Sequence, residues 1–146
     1  MIVEAQRITV TVALLAATGL LDDRLMGEVS SNAATITAAV STAATLTLAA
    51  PGAGLRHYIT SLRIERHAAA LLTAGTTPVV ITTTNLPGAL AFSIPVEAAA
   101  QGSVYEKLLE PARAIMASAQ NTATTIVAPL TTSVIWRLTA TFYVAP

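Results

Sequence analysis

The chain has 146 residues, enough for one domain with a full core, and no cysteine, which excludes disulfide frameworks, thiolate zinc sites and cysteine nucleophiles. Eight basic residues balance eight acidic ones, so no overall charge draws the chain to nucleic acid or to an anionic membrane. Only 11% of residues are charged while 53% are hydrophobic; ordinary soluble domains carry roughly 25% charged residues. So sparse a charge points to a surface covered by copies of the chain or by a larger assembly.

In chain order, Ile8, Val10 and Val12 alternate with Thr9 and Thr11 as a strand does, and residues 18–27 read as a short helix. Thr18 caps that helix, Asp22 and Asp23 lie early in it, and Gly27 stops it. The apolar run 8–21 is a poor secretory leader because Glu4 offsets Arg7, and it falls short of the about 20 apolar residues of a membrane span. Residues 1–31 are therefore expected to be a retained N-terminal arm, with Ile8, Val10, Val12, Leu20 and Leu21 as its contacts to this domain or to a neighbour.

Residues 30–51 are β-branched and nearly free of charge, which predicts two strands joined near 41–43. Pro51, Gly52 and Gly54 then mark a tight turn, and a strand follows over 55–67. Its alternation puts Tyr58, Thr60, Leu62 and Ile64 on a core face, and His57, Ser61, Arg63, Glu65 and His67 on an outer face; Ile59 alone is out of phase. Residues 68–75 predict a loop with a helical turn, 79–84 a strand, 85–88 a turn, and 89–96 a strand broken late by Pro95. Residues 102–110 fit a strand or a helix ended by Pro111. Residues 113–118 and 122–128 read as a strand pair about Gln120 and Asn121, and 134–144 as a strand that places Trp136 in the core. About eight short strands with turn signals between them predict an all-β domain over residues 32–146, an antiparallel β-sandwich or jelly roll.

No motif carries a reaction. Gly52 and Gly54 lack the third glycine of a dinucleotide loop, since His57 stands there, and a strand rather than a helix follows. Glu65 and His67, two apart on one strand face with His57, could begin a metal site, but no further ligands are placed. Glu106, Lys107 and Glu110 beside Tyr105 read as solvated charges, and G-x-S-x-G, H-E-x-x-H and Walker loops are absent. No catalytic residue, metal or cofactor is assigned. Arg56, His57, Arg63, Glu65, Arg66 and His67 form the densest charged cluster, and they are the candidate partner interface.

The stretch A-P-G-A-G-L-R-H-Y-I-T-S-L-R-I at 50–64, with the strand at 45–50 before it, resembles a recurrent element of small virion proteins of tailed bacteriophages. The similarity continues through L-L-E-P-A-R-A at 108–114 and N-T-A-T-T at 121–125, covering most of residues 35–146. This chain departs from the pattern in residues 1–31 and in lacking a terminal G-Y element. The resemblance implies a jelly-roll capsid decoration (cement) protein on the outer capsid surface. It would be a homotrimer, partnered by the major capsid protein, with no cofactor, nucleic acid or membrane. Alternatives are a fibre, neck or tail subunit, and a sugar-binding β-sandwich module, for which Tyr58, Tyr105 and Tyr143 are the available aromatics.

Overall fold

The computed structural model describes residues 32–146; the predicted arm and its contacts Ile8, Val10, Val12, Leu20 and Leu21 lie outside the described residues. Two long strands, β3 (Arg56–Ala68) and β9 (Val134–Ala145), pair antiparallel along almost their whole length. Among the described residues seven shorter strands accompany them: β1 (Asn32–Thr37), β2 (Ala44–Leu48), β4 (Val79–Thr84), β5 (Phe92–Ile94), β6 (Val104–Leu109), β7 (Ile115–Met116) and β8 (Thr124–Ala128). One sheet has the order β1-β9-β3-β6, with β7 beside β3, and the other has the order β2-β8-β4-β5.

The pairing is nested. Strand β1 pairs with β9, β2 with β8, β3 with β6 and β4 with β5, all antiparallel. A long antiparallel ribbon folded over on itself gives this order, with β3·β9 and β4·β8 closing the folds into sheets. That is the jelly roll. The two inner faces meet in one large cluster that includes Trp136, Leu138, Ile64, Ile81, Ile94 and Ile126, and a smaller one of Leu48, Ile59 and Leu86. The alternation that predicted these strands follows from the period of 2, since β2 and β8 each bury every other residue.

One open reading is settled and three sequence expectations need correction. Residues 102–110 settle as a strand, because Tyr105 and Leu109 pack inward at period 2. Residues 113–118 and 122–128 do not pair with each other: β7 joins β3 while β8 joins β2 and β4 in the other sheet. The 89–96 strand shrinks to three residues, preceded by a 3-10 turn at Pro87–Ala89. Most consequential, the β3 register shifts between Ile59 and Ser61, so Thr60 is a bulge residue. Ile59 and His57 therefore face the core before the bulge, and Leu62, Ile64 and Arg66 after it, while Tyr58 turns outward. The out-of-phase Ile59 is the sequence trace of that bulge.

Strand alternation sends the connections to two opposite ends. At one end are residues 49–55, 85–91 and 110–123; at the other are 38–43, 69–78, 95–103 and 129–133. Gly52 (φ 111°) and Gly54 (φ 77°) adopt left-handed angles in the predicted turn, and Leu55 N donates to Gly52 O at 3.2 Å. Among the described residues no helix is long and apolar enough to cross a membrane.

Candidate functional site

Cross-strand register assembles a charged row on the outer face of the β1-β9-β3-β6 sheet. Glu65 lies opposite Glu106 on β6 and opposite Arg137 on β9. Arg63 Nη2 donates to Glu106 Oε2 at 2.6 Å and stands 3.3 Å from Glu65 Oε1, while Arg137 Nε is 3.6 Å from Glu65 Oε2. Two arginines and two carboxylates thus neutralise one another. The hydrogen bond that Arg63 donates to Glu106 holds the Arg63 pKa above its ordinary value. Glu65 is covered by its neighbours and Arg63 is half exposed. His67 stands in the next row between Val104 and Ile135. Among the described residues no three His, Asp or Glu side chains converge to hold a metal ion. A patch of hydroxyls continues the face: Thr35 with Thr139 at 3.0 Å, and Thr141 with Thr60 at 2.8 Å and with Ser61 at 2.6 Å.

Three of the six candidate interface residues, Arg63, Glu65 and His67, share this outer face; the other three do not. His57, expected outside, is buried, because the bulge sets its phase with Ile59. Its Nδ1 lies 3.0 Å from Thr124 Oγ1, and its ring meets Phe142 edge-on. Asn85 Nδ2 donates to the same Thr124 oxygen at 3.2 Å, and the hydroxyl hydrogen is free to be donated to Nδ1 of a neutral ring. Burial lowers the His57 pKa, and a hydrogen bond with the Ala49 backbone acts in the opposite sense. Arg56 is committed to the carbonyls of Ala117 (3.1 Å) and Ser118 (2.5 Å).

Arg66 is also turned inward, at 4% exposure. Its Nη1 donates to Pro95 O, and its guanidinium lies 5.5 Å from the centre of the Tyr105 ring. Two clefts meet at this side chain. One, of about 350 Å³, is walled by Leu71, Leu72, Val96 and Val134 and by the hydroxyl residues 131–133. The other, of about 280 Å³, runs between residues 97–100 and 103–105. Gly75 packs close to the first: a Cβ there would stand 3.0 Å from Val96 Cγ1. Leu71, in the wall of the first cleft, is 75% exposed, and Leu130, the chain neighbour of Thr131, is 63% exposed.

The sequence did not single out Glu106 as the partner of Arg63, Arg137 as a partner of Glu65, or Leu71 and Leu130 as exposed leucines. For Arg137 a signal existed, since its position on the polar face of the last strand was legible; for the others, only register and loop packing place them. No protein-family model matches the chain, and no curated protein matches it.

Proposed function

We propose that the chain is a structural subunit of a tailed-bacteriophage particle, a decoration protein that binds the assembled capsid and stabilises it. The observation that carries this reading is how the domain uses its charge. Arg63, Glu65, Glu106 and Arg137 neutralise one another, and Arg56, Arg66 and Lys107 are bonded to backbone carbonyls of the same domain. Leu71, Leu130, Val104, Leu108 and Met116 meanwhile stay exposed. A charge-poor surface with large aliphatic groups at loop tips and along a sheet suits burial against other protein, because interface cores are depleted of unpaired charge. The jelly roll is a frequent capsid-protein architecture, which agrees with the reading without carrying it.

The mechanism is thermodynamic. A subunit that binds only the assembled lattice stabilises it by mass action, and a homotrimer would add avidity through repeated contacts, with residues 1–31 reaching a neighbour. Quantitative mass spectrometry of purified particles tests this. Copies close to those of the major shell protein are expected; a few copies per particle would indicate a fibre, neck or tail subunit, and absence from particles would end the virion reading. A sugar-binding module is the second reading, favoured by one feature. Tyr58 and Tyr143 stack on the outer face with ring centres 4.8 Å apart and planes at 2°. Saturable glycan binding that is lost in Tyr143→Ala would establish it.

A further inference from the structure

We infer that the cleft beside Arg66 is a binding site for a carboxylate carried on a short apolar stem. The inference does not depend on the virion reading. Arg66 is more than nine-tenths buried, yet it forms no ion pair among the described residues, where the ion pairs join Arg63 and Arg137 to Glu65 and Arg63 to Glu106. A buried cation without an ion-pair partner is costly, and one carbonyl plus the face of Tyr105 offsets that cost only in part; Glu97 lines the smaller cleft but makes no ion pair with Arg66. No side-chain nitrogen or oxygen among the described residues is both fully buried and unbonded. Guanidinium donors beyond the one engaged by Pro95 O are therefore not sealed in, and the side chain lines both clefts.

The lining selects the ligand. Among the described residues Arg66 is the only charged one lining the larger cleft, so its field favours an anion. Guanidinium presents a planar fork that matches a carboxylate. Leu72, Val96 and Val134 offer apolar wall, which a strongly hydrated inorganic anion cannot use but an aliphatic stem can. Thr132 and Ser133 add groups that can hydrogen-bond a second carboxylate oxygen. At about 350 Å³ the cleft is large enough for a small organic acid or for one acidic side chain.

The test is titration of the 15N-labelled full chain with sodium butyrate at fixed ionic strength, read by amide and Arg Nε–H shifts, with butyramide as the neutral control. Saturable shifts confined to residues 71–73, 96 and 131–134 are expected with butyrate and not with butyramide. Arg66→Met should weaken binding by about tenfold or more, as loss of a charge-assisted pair implies. Should that variant fail to fold, Thr132→Glu serves instead. Its tethered carboxylate at the cleft mouth should raise Tm and abolish the butyrate response. A parallel titration with acetyl-Leu-Glu-Leu-amide, against its Gln counterpart, separates the two sources of the carboxylate. Tighter binding of the Glu peptide than of butyrate assigns the site to an acidic side chain of a polypeptide, and the reverse to a free acid. Unsaturable shifts, equal response to butyramide, or a response unchanged in both variants would overturn the inference.

Discussion

The two ends of the sandwich handle polar groups in opposite ways. At the end formed by residues 49–55, 85–91 and 110–123, polar groups close on one another. Asn85 donates to Thr122 O (3.1 Å) and Thr124 Oγ1 (3.2 Å) and accepts from Ala119 N (2.7 Å), Thr124 meets His57, and Ser118 N reaches Asn85 O at 2.8 Å. At the other end the backbone is also tied, as between Ala69 N and Ser133 O at 2.8 Å, but Arg66 lines open clefts, one of them beside the exposed Leu71. A satisfied network rigidifies, whereas a buried cation beside a cleft keeps capacity for something else. The first end is therefore read as structural and the second as available for recognition.

The largest expected effect lies at the closed end. Asn85→Ala removes the side chain that joins three segments and also places a residue with a Cβ and no polar group at φ 59°. A loss of roughly 3 kcal/mol is expected from several unmade hydrogen bonds, measured by urea unfolding. Thr124→Val comes next, at about 2 kcal/mol, because it leaves His57 Nδ1 without its partner in a buried site. Should both variants unfold like the parent chain, the closed network would contribute nothing and the contrast between the ends would fail.

The pH dependence sharpens the same contrast. Burial makes the folded His57 harder to protonate than the unfolded one, whose ordinary pKa is 6.5. The unfolded state then binds more protons below that value, so this residue's contribution to stability is complete above pH 6.5 and declines as pH falls through it. Tm measured against pH should drop on the acid side for the parent chain and drop less steeply for His57→Gln. Parallel curves would show that the ring is not held neutral.

Much of this arrangement was legible in the sequence, and what was not has physical causes. Alternation is local, so β3, β4 and β9 and the burial of Trp136 could be read directly. The Thr60 bulge could be read only as an anomaly at Ile59, because a bulge is defined against a partner strand. The separation of β7 from β8 depends on contacts with β3 and β2, far away in the chain. Arg66 shares a face with Leu62 and Ile64 after the bulge, so its parity pointed inward; its charge argued for the surface, and parity prevailed because Pro95 and Tyr105 receive it. Asn85 was readable as a turn residue, but its links to residues 119–124 were not.

The smallest expected effect is on the outer face between the ends. Arg137→Ala leaves Glu65 still 3.3 Å from Arg63, and Arg137 is itself half exposed. Water and salt screen such a pair, so the change should stay within about 0.5 kcal/mol and shrink further as ionic strength rises. The informative quantity is the comparison with Thr124→Val. Both substitutions remove one partner from a polar group covered by the fold, Glu65 in one case and His57 in the other. Glu65 keeps a second arginine, but the neutral His57 loses the hydroxyl that meets its Nδ1. A cost for Arg137→Ala as large as that for Thr124→Val would mean that Glu65 depends on both cations, and the charged row would join the closed end as a structural lock. A negligible cost would leave the outer face as a neutralised surface that can be covered by another protein without breaking anything that holds the domain together.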